Sequence, residues 1–382
     1  MEGECGLETL YDNKESCFGC GACAAVCQTG AIAMRPDAEG FLYPEVESAR
    51  CTGCGRCMTV CPAKARLSRA DGQFFAVRHK DDDALSASTS GGAFTLLSEA
   101  VLEDGGLVCG AVFDQDFVVR HTVSSNIAPM RKSKYVQSDL SRCYGQVREA
   151  LDSGRTVLFT GTPCQCHAFQ MFFPDHPGLI LVSLICRGVQ SPGLWSDYVA
   201  WLGGGRLQAY DFRDKRFGDD GHAVSYTIDG KETVGSMFED SFSRLYGRCL
   251  TSRPSCYACP YARANNGFDF TIGDLWGVER ACPEFADGKG TSLVIARGKR
   301  AEDLVSRMGS HGRVIRCDPE AAMQPALEAP AKEPPLRKSL FKDYGSKNAD
   351  GRCNMKRILR KYSGRTGMSS ALAFLRRILP NR

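Results

Sequence analysis

The sequence predicts an α/β protein that begins with a small α+β domain. Two observations support this fold class. Two equally spaced runs of cysteines lie between Cys17 and Cys61, and after Lys64 strand-like and helix-like segments alternate along the chain. Because 382 residues exceed what one hydrophobic core usually serves, we expect several domains. We place them at residues 1–66, 67–330 and 331–382, called the head, the body and the tail.

The cysteine runs have the spacing of iron–sulfur cluster ligands. Both read C-x2-C-x2-C-x3-C, and the second begins 34 residues after the first. In two-cluster ferredoxins the last cysteine of each run binds the other cluster. This rule predicts two [4Fe-4S] ligand sets, namely Cys17, Cys20, Cys23 and Cys61, and Cys51, Cys54, Cys57 and Cys27. The alternative is a pair of zinc sites, but zinc knuckles arrange their ligands in pairs. The head is therefore predicted to be a ferredoxin-like domain.

Composition argues against several other classes of protein. The chain opens MEGECGLETL, without the basic and apolar regions of a secretory leader, so we expect a cytoplasmic protein whose clustered cysteines bind metal. No run of 18 apolar residues is present, so no transmembrane segment is expected. The net charge of +4 gives no indication of nucleic acid binding.

The pattern of the body predicts a mixed α/β domain. Strands are predicted at Phe74–His79, Leu107–Phe113, Phe117–Val123, Thr156–Thr160, Leu179–Ile185, Ala209–Arg213, Val224–Ile228, Phe268–Ile272 and Leu293–Ala296. Helices are predicted at Ala93–Leu102, Leu140–Leu151 and Ala301–Met308, and a helical pattern runs from Trp195 to Leu202.

Two segments of the body have the composition of phosphate-binding turns. The stretch SASTSGGAF, residues 86–94, precedes a helix, and GTPCQ, residues 161–165, lies between a strand and a helix. On spacing alone an ordinary helix start is the commoner explanation, and a phosphate site is the alternative. No strand is followed by G-x-G-x-x-G, and neither G-x-x-x-x-G-K-[ST] nor G-x-S-x-G occurs, so the sequence does not support a Rossmann nicotinamide site, nucleotide hydrolysis or serine hydrolase chemistry.

An ordered series of motifs resembles a known family. The motifs are STSGG (88–92), SKYVQSD (133–139), GTPCQ (161–165), DFRDKR (211–216), RPSCYACPY (253–261) and DFTIGDLWG (269–277). From about residue 14 to 330 the chain resembles the beta subunit family of coenzyme F-420 hydrogenases and dehydrogenases, in the bacterial form with a fused ferredoxin head.

The resemblance implies two further cofactors in the body. It implies an FAD-binding domain with flavin contacts at Ser88, Ser90, Gly91, Gly92, Ser133, Lys134, Tyr135, Gly161, Thr162 and Gln165. It also implies a third [4Fe-4S] cluster held by Cys164, Cys186, Cys256 and Cys259. The chain departs from the family at Cys166, where an apolar residue is more usual, and at Arg187, where a histidine is common in bacterial members.

The resemblance implies an oxidoreductase activity. Because the reactive atom belongs to the cofactor, we name no catalytic acid or base of the protein. A flavin joined to clusters would connect a two-electron carrier, with coenzyme F-420 as one candidate, to a ferredoxin or a redox partner subunit. The alternatives are an electron-relay subunit without flavin chemistry and a zinc-stabilised scaffold. The identity of the carrier and the direction of electron flow stay open at this stage.

The tail is strongly basic. Residues 332–382 contain 14 Lys and Arg against three acidic residues, a net charge of +11, whereas the rest of the chain has 34 against 41. A helix over Ser369–Leu379 would place leucines on one face beside two arginines. We expect a solvated tail, with docking on an acidic partner or peripheral contact with an anionic membrane as the alternative.

Overall fold

The computed structural model describes residues 10–216, 218–219, 222–346 and 353–364. The strands are β1 (Ile32–Pro36), β2 (Leu42–Val46), β3 (Gln73–His79), β4 (Leu107–Phe113), β5 (Val119–Ser124), β6 (Val157–Gly161), β7 (Leu179–Leu184), β8 (Leu207–Asp214), β9 (Ala223–Ile228), β10 (Lys231–Ser236), β11 (Phe270–Asp274), β12 (Ser292–Ala296) and β13 (Gly312–Arg316). The α-helices are α1 (Ala22–Val26), α2 (Arg56–Thr59), α3 (Asp82–Ser86), α4 (Ala93–Glu103), α5 (Cys143–Asp152), α6 (Pro163–Phe172), α7 (Pro192–Leu202), α8 (Ser241–Gly247), α9 (Val278–Ala281), α10 (Lys299–Met308), α11 (Pro319–Ala322), α12 (Arg337–Gly345) and α13 (Met355–Tyr362).

The head is built from an antiparallel hairpin and two short helices. Strands β1 and β2 pair with Ile32 opposite Val46, and α1 packs against α2. Each helix begins after a glycine in the left-handed region, Gly21 with φ 73° and Gly55 with φ 72°, a conformation that an L side chain rarely adopts. The repeated cysteine spacing therefore corresponds to a repeated loop-and-helix unit.

The body is organised around a mixed sheet, which confirms the predicted α/β class. Among the described residues, this sheet has eight strands in the order β13-β3-β12-β11-β7-β6-β4-β5. Strands β4, β6, β7 and β11 are parallel neighbours, whereas β5, β12 and β13 pair antiparallel with their neighbours. The carboxyl ends of the parallel strands consequently lie at one edge of the sheet, here called the carboxyl edge.

Helices cover both faces of the sheet because its strands alternate their apolar side chains. In β6, Leu158 packs into the cluster formed with α4 and α10, while Val157 and Phe159 pack on the other face with α5 and α6. Two residues of the head, Ala22 and Val60, belong to this second cluster. The head is thus attached to the α5–α6 face of the body.

A smaller antiparallel sheet contains β8, β9 and β10. The sequence prediction included β8 and β9 but missed β10, whose residues Lys231, Glu232 and Thr233 are exposed and give no apolar alternation. Strand β13 was missed for a related reason, since only Gly312 in its five residues is fully buried.

The described part of the tail differs from the solvated chain that was expected. Leu340, Phe341 and Tyr344 of α12 are buried in the same cluster as Ile358 and Tyr362 of α13. The charge count obscured the apolar faces of these two helices, which pack against the rest of the protein. Lys338 and Lys342 of α12 face solvent, whereas Arg337 is buried. The predicted helix over residues 369–379 lies outside the described residues.

Among the described residues, no helix combines the length and the apolar character that crossing a membrane would require.

Candidate cluster sites and the carboxyl edge

The first predicted ligand set of the head surrounds one cavity. Cys17, Cys20, Cys23 and Cys61 all line it, together with Cys57. Burial raises the pKa of Cys23 to about 12, and the neighbouring thiols Cys17 and Cys61 contribute to this rise. The folded chain therefore brings residues from both cysteine runs to one place, as the crossed ligation of two-cluster ferredoxins requires.

The second predicted set is gathered in part. Burial raises the pKa of Cys57, and the adjacent thiols Cys54 and Cys51 contribute to the rise. Cys27 has a hydrogen-bond partner of its own, since its Sγ lies 3.6 Å from the hydroxyl of Thr29. Of this group, Cys54 is the exposed thiol.

The four cysteines that the resemblance assigns to the body converge at the carboxyl edge. Cys164 lies in the first turn of α6 and Cys186 follows β7, and these thiols are close because β6 and β7 pair with Gly161 opposite Ser183. Burial raises the pKa of Cys186, and the charges of Cys256, Cys164 and Cys259 raise it further. A loop after α8 supplies Cys256 and Cys259.

Burial also desolvates the other two thiols of the body set. It raises the pKa of Cys256 to about 11 and that of Cys259 to about 12, so both thiols are protonated at neutral pH when no metal is bound. Metal binding to such thiols releases protons. Within the described residues, no three Cys, His, Asp or Glu side chains converge on a single metal ion. A cubane cluster has a different requirement, since each thiolate binds its own iron.

Cys166 has a different environment from Cys164. Its side chain is fully buried in the cluster with α5 and α6, and its Sγ lies 3.8 Å from the carbonyl oxygen of Gly161. The helical rotation between positions 164 and 166 turns the second thiol into the core. Cys164, by contrast, lies 3.2 Å from the hydroxyl of Thr162 and close to the other three thiols.

The STSGG segment contacts mainly the protein itself. Ser88 donates to the carbonyl oxygen of Ala84, and Ser90 donates to that of Thr291, each at 2.7 Å. A Cβ on Gly91 would overlap the carbonyl oxygen of Val77 and lie 2.5 Å from the amide nitrogen of Ser292. The glycine at position 91 therefore permits close packing against β3 and β12, a reason that differs from the phosphate approach suggested by the sequence. Gly92, with φ 82°, begins α4.

The SKY segment lies beside STSGG. Its Ser133 hydroxyl is 3.3 Å from that of Thr89, which links the two motifs. Lys134 donates to the carbonyl oxygen of Arg131 at 2.7 Å, and burial lowers the pKa of this lysine to about 8. Tyr135 stacks on Tyr246 with ring centroids 4.3 Å apart.

The GTPCQ segment is a helix cap. Gln165 and Thr162 form a capping box, in which the side-chain oxygen of Gln165 accepts from the amide of Thr162 at 2.9 Å. Gln165 also donates to Ser138, and a Cβ on Gly161 would crowd the ring of Phe159. The predicted motif thus holds Cys164 at a fixed point of the carboxyl edge.

The carboxyl edge contains an exposed apolar side chain and, among the described residues, two buried polar atoms without a hydrogen-bond partner. Leu184, the last residue of the central strand β7, is 37% exposed. Trp276 follows β11 nearby, with the guanidinium of Arg187 6.0 Å from its ring. Two buried atoms, Nδ1 of His121 and Oγ1 of Thr160, lack a hydrogen-bond partner among the described residues. Open α/β sheets bind their ligands at this edge.

Ionic residues missed as site candidates join two of the motifs. Arg213 on β8 forms ion pairs with Asp274 at 2.7 Å and Asp219 at 3.0 Å, which connects DFRDKR to the end of β11. Lys215 reaches the carbonyl oxygens of Leu85 and Ser90. The run of charged residues in DFRDKR, within a predicted strand, could have indicated them. Charged side chains that are buried must be paired, so such a run predicts ion pairs.

Two family models match the head and part of the body. Residues 16–65 match the family model of the 4Fe-4S dicluster domain, and residues 154–321 match that of the C terminus of the coenzyme F420 hydrogenase/dehydrogenase beta subunit. A chain from the F420-reducing [NiFe] hydrogenase complex of Methanosarcina barkeri, studied by xenon derivatization, is 16% identical with a TM-score of 0.46. That match covers 77% of this chain and 100% of the other. No curated protein matches the chain.

Proposed function

Because the chain belongs to the coenzyme F420 hydrogenase/dehydrogenase beta subunit family and carries a 4Fe-4S dicluster domain, we propose that it is an iron–sulfur flavoprotein oxidoreductase. It would transfer electrons between a two-electron carrier and one-electron iron–sulfur partners. A bound flavin supplies the ability to exchange two electrons with one partner and single electrons with another, and each cluster carries one electron at a time.

The observation that carries this proposal is the position of the four body thiols. Cys164 and Cys186 follow adjacent parallel strands, so the candidate cluster site lies where the exposed Leu184 and the partly buried Trp276 offer apolar surface for a planar ligand. This arrangement supports a flavin beside a cluster. The hydroxyls of Thr89 and Ser133 are the groups of the predicted phosphate segments that face each other.

The partner end of the chain is proposed to be the head. Cys54 is exposed, and the basic residues Arg50 and Arg56 lie just before and within the second cysteine run. A one-electron partner must approach a cluster closely, and positive charge favours an acidic protein such as a partner subunit or a ferredoxin. The proposed two-electron carrier is coenzyme F-420, because the family is named for it.

A spectrum of anaerobically purified protein tests the proposal. We expect about twelve irons per chain for three clusters and about one flavin released on denaturation. Reduced F-420, NADH, NADPH and reduced ferredoxin would then be screened for bleaching of the flavin band. Bleaching by none of them in a flavin-loaded protein would contradict the proposed carrier class.

A second candidate is an electron-relay subunit without flavin. The observation that favours it is the internal satisfaction of STSGG, since Ser88 and Ser90 both donate to the protein's own carbonyl groups. A relay would show broad iron–sulfur absorption and release no flavin. Reconstitution with FAD, followed by gel filtration, separates the two candidates, because a relay would elute without flavin.

A further inference from the structure

A buried arginine lies at the boundary between the head and the body. Arg253 is 1% exposed and precedes Cys256 by three residues, and the amide of Cys256 donates to its carbonyl oxygen at 2.9 Å. This arginine therefore belongs to the same loop as two of the body thiols.

The guanidinium of Arg253 is directed into the head. Its Nε donates to the carbonyl oxygen of Cys17 at 2.8 Å, and its Nη2 donates to that of Leu42 at 3.0 Å. Nη2 also lies 3.6 Å from the Sγ of Cys17, within hydrogen-bond distance of a sulfur acceptor. Nη1 donates to Gln137, and the ring of Tyr43 lies 4.1 Å from the guanidinium carbon.

The charge of Arg253 has no conventional counter-ion. Within the described residues, no carboxylate lies within 4.0 Å of its guanidinium nitrogens, whereas the other arginine at this boundary, Arg337, pairs with Glu39 at 3.0 Å. A buried charge without compensation costs several kcal/mol, so an opposite charge is expected nearby. A cluster with its thiolate ligands would supply that charge, and the Sγ of Cys17 is the sulfur atom that Arg253 contacts.

Arg253 contacts both cysteine sets, but in different ways. Its side chain reaches the Sγ of Cys17 in the head, whereas its backbone carbonyl oxygen accepts from the amide of Cys256 in the body. The charge of the guanidinium is therefore placed at the first head set. Cys54, in the second head set, is exposed to solvent instead.

We propose that Arg253 sets the reduction potential of the head cluster bound by Cys17. Reduction adds negative charge to a cluster, so a buried cation and a hydrogen bond to its sulfur stabilise the reduced state. The Cys17 cluster should therefore have a higher potential than the same cluster without Arg253. This inference rests on the proposed function only in requiring that the clusters carry electrons.

The test is a redox titration of the full chain, monitored by electron paramagnetic resonance after anaerobic reconstitution. Arg253→Gln should lower the reduction potential of one head cluster by at least about 59 mV, which corresponds to a tenfold change in the equilibrium constant of a one-electron reduction. Arg253→Lys retains the charge and loses the fork of donors, so a smaller decrease is expected. The signal of the Cys17 cluster is identified as the one lost in Cys17→Ser.

Arg337→Gln is the matched control. It removes a buried arginine from the same boundary, but one that binds Glu39 and the carbonyl oxygen of Ser252 rather than a thiol, so the potentials should not move. Unchanged potentials in Arg253→Gln with full iron content would overturn the proposal, as would an equal shift in Arg337→Gln. Loss of the Cys17 cluster in both Arg253 variants would make this residue an assembly determinant and would also overturn it.

The outcomes separate this inference from the proposed function. A protein without flavin or without a two-electron substrate could still show the Arg253-dependent shift, because the titration uses chemical mediators. Conversely, if the flavoprotein is active but its cluster potentials are unchanged in Arg253→Gln, the proposed function stands and this inference is wrong.

Discussion

At the scale of single residues, motif positions near the carboxyl edge bind the protein's own backbone. Gly91 packs against β3 and β12, while Thr162 and Gln165 cap α6. The sequence identified these positions as special, because glycines and hydroxyl residues before a helix are informative. It could not distinguish a phosphate from a backbone carbonyl as their partner, since both satisfy the same donors.

Gly91→Val should destabilise the whole protein rather than remove a cofactor alone. The new Cβ would overlap the carbonyl oxygen of Val77, and backbone on both sides leaves no room to relax. Gly145→Ala in α5 is the control, because no atom lies within 4 Å of its added Cβ, and it should gain about 0.5–1 kcal/mol. Thermal unfolding measures both. A Gly91→Val protein with wild-type unfolding but no flavin would restore the phosphate interpretation.

Cys164→Ala should reduce the iron content by about four per chain, whereas Cys166→Ala should leave it unchanged. Cys164 couples to the other body thiols, and Cys166 lies in the core beside the carbonyl oxygen of Gly161. Iron analysis after anaerobic reconstitution decides the matter. If Cys166→Ala lost iron and Cys164→Ala kept it, Cys166 would be the cluster ligand and Cys164 would not.

His121 should make stability depend on pH in the acid range. Burial lowers its folded-state pKa to about 4 from the usual 6.5, so the unfolded chain takes up a proton that the folded chain refuses. Its contribution is complete above pH 6.5 and is lost as the pH falls towards 4. Between about pH 7 and about pH 5 this loss amounts to roughly 2 kcal/mol.

His121→Gln isolates that contribution. The Gln amide extends as far as the His121 Nε2, which lies 2.8 Å from the carbonyl oxygen of Thr160, so it can still donate there but does not titrate. Urea unfolding of both proteins at the two pH values should show a smaller pH dependence in the variant. If both proteins lost the same unfolding free energy between the two pH values, other groups would dominate the destabilisation by acid.

At the scale of elements, local periodicity predicted most strands and helices of the body. The predicted helix at Ala301–Met308 forms as Lys299–Met308, and the predicted strand at Leu107–Phe113 has the same bounds in the structure. The missed elements include exposed strands such as β10, the short helix α8 and the two tail helices. Charged side chains dominate the sequences of the two tail helices, so the apolar signal was weak although α12 and α13 reach the core.

Leu340→Ala in α12 tests whether the tail helices stabilise the fold. The side chain is fully buried among aromatic residues that include Phe41 of the head, so its removal should cost about 2–5 kcal/mol. The exposed Lys338 of the same helix provides the control, and Lys338→Ala should change stability by less than about 0.5 kcal/mol. Chemical unfolding of the two variants gives the comparison. Equal stabilities would indicate a tail that is dispensable for the fold.

At the scale of the whole molecule, the head and the body share contacts on two sides. Tyr144 of α5 donates to the carbonyl oxygen of Cys20 at 3.1 Å, and Arg337 of the tail pairs with Glu39. Ala22 and Val60 add apolar contacts to the α5–α6 face. Such an arrangement holds the head thiols and the body thiols in a fixed relation, which electron transfer between them requires.

Cys61 is the position at which the predicted crossed ligation of the head can be tested. Cys61→Ser should resemble Cys17→Ser and not Cys51→Ser, because Cys61 shares its cavity with Cys17 although it belongs to the second run. Each variant should lose about four irons, and the spectrum of the remaining clusters identifies which one was lost. If Cys61→Ser instead resembled Cys51→Ser, each run would bind its own cluster.

The sequence by itself determined the cysteine spacing of the head, the α/β alternation of the body and the helix cap that holds Cys164, because each depends on residues within a few positions. The tertiary structure decided the rest. It brought Arg253 to Cys17 across 236 positions and attached the basic tail to the core, and it placed Gly91 against a distant strand. These contacts depend on how the chain closes on itself, and no local pattern encodes which distant backbone a buried side chain will meet.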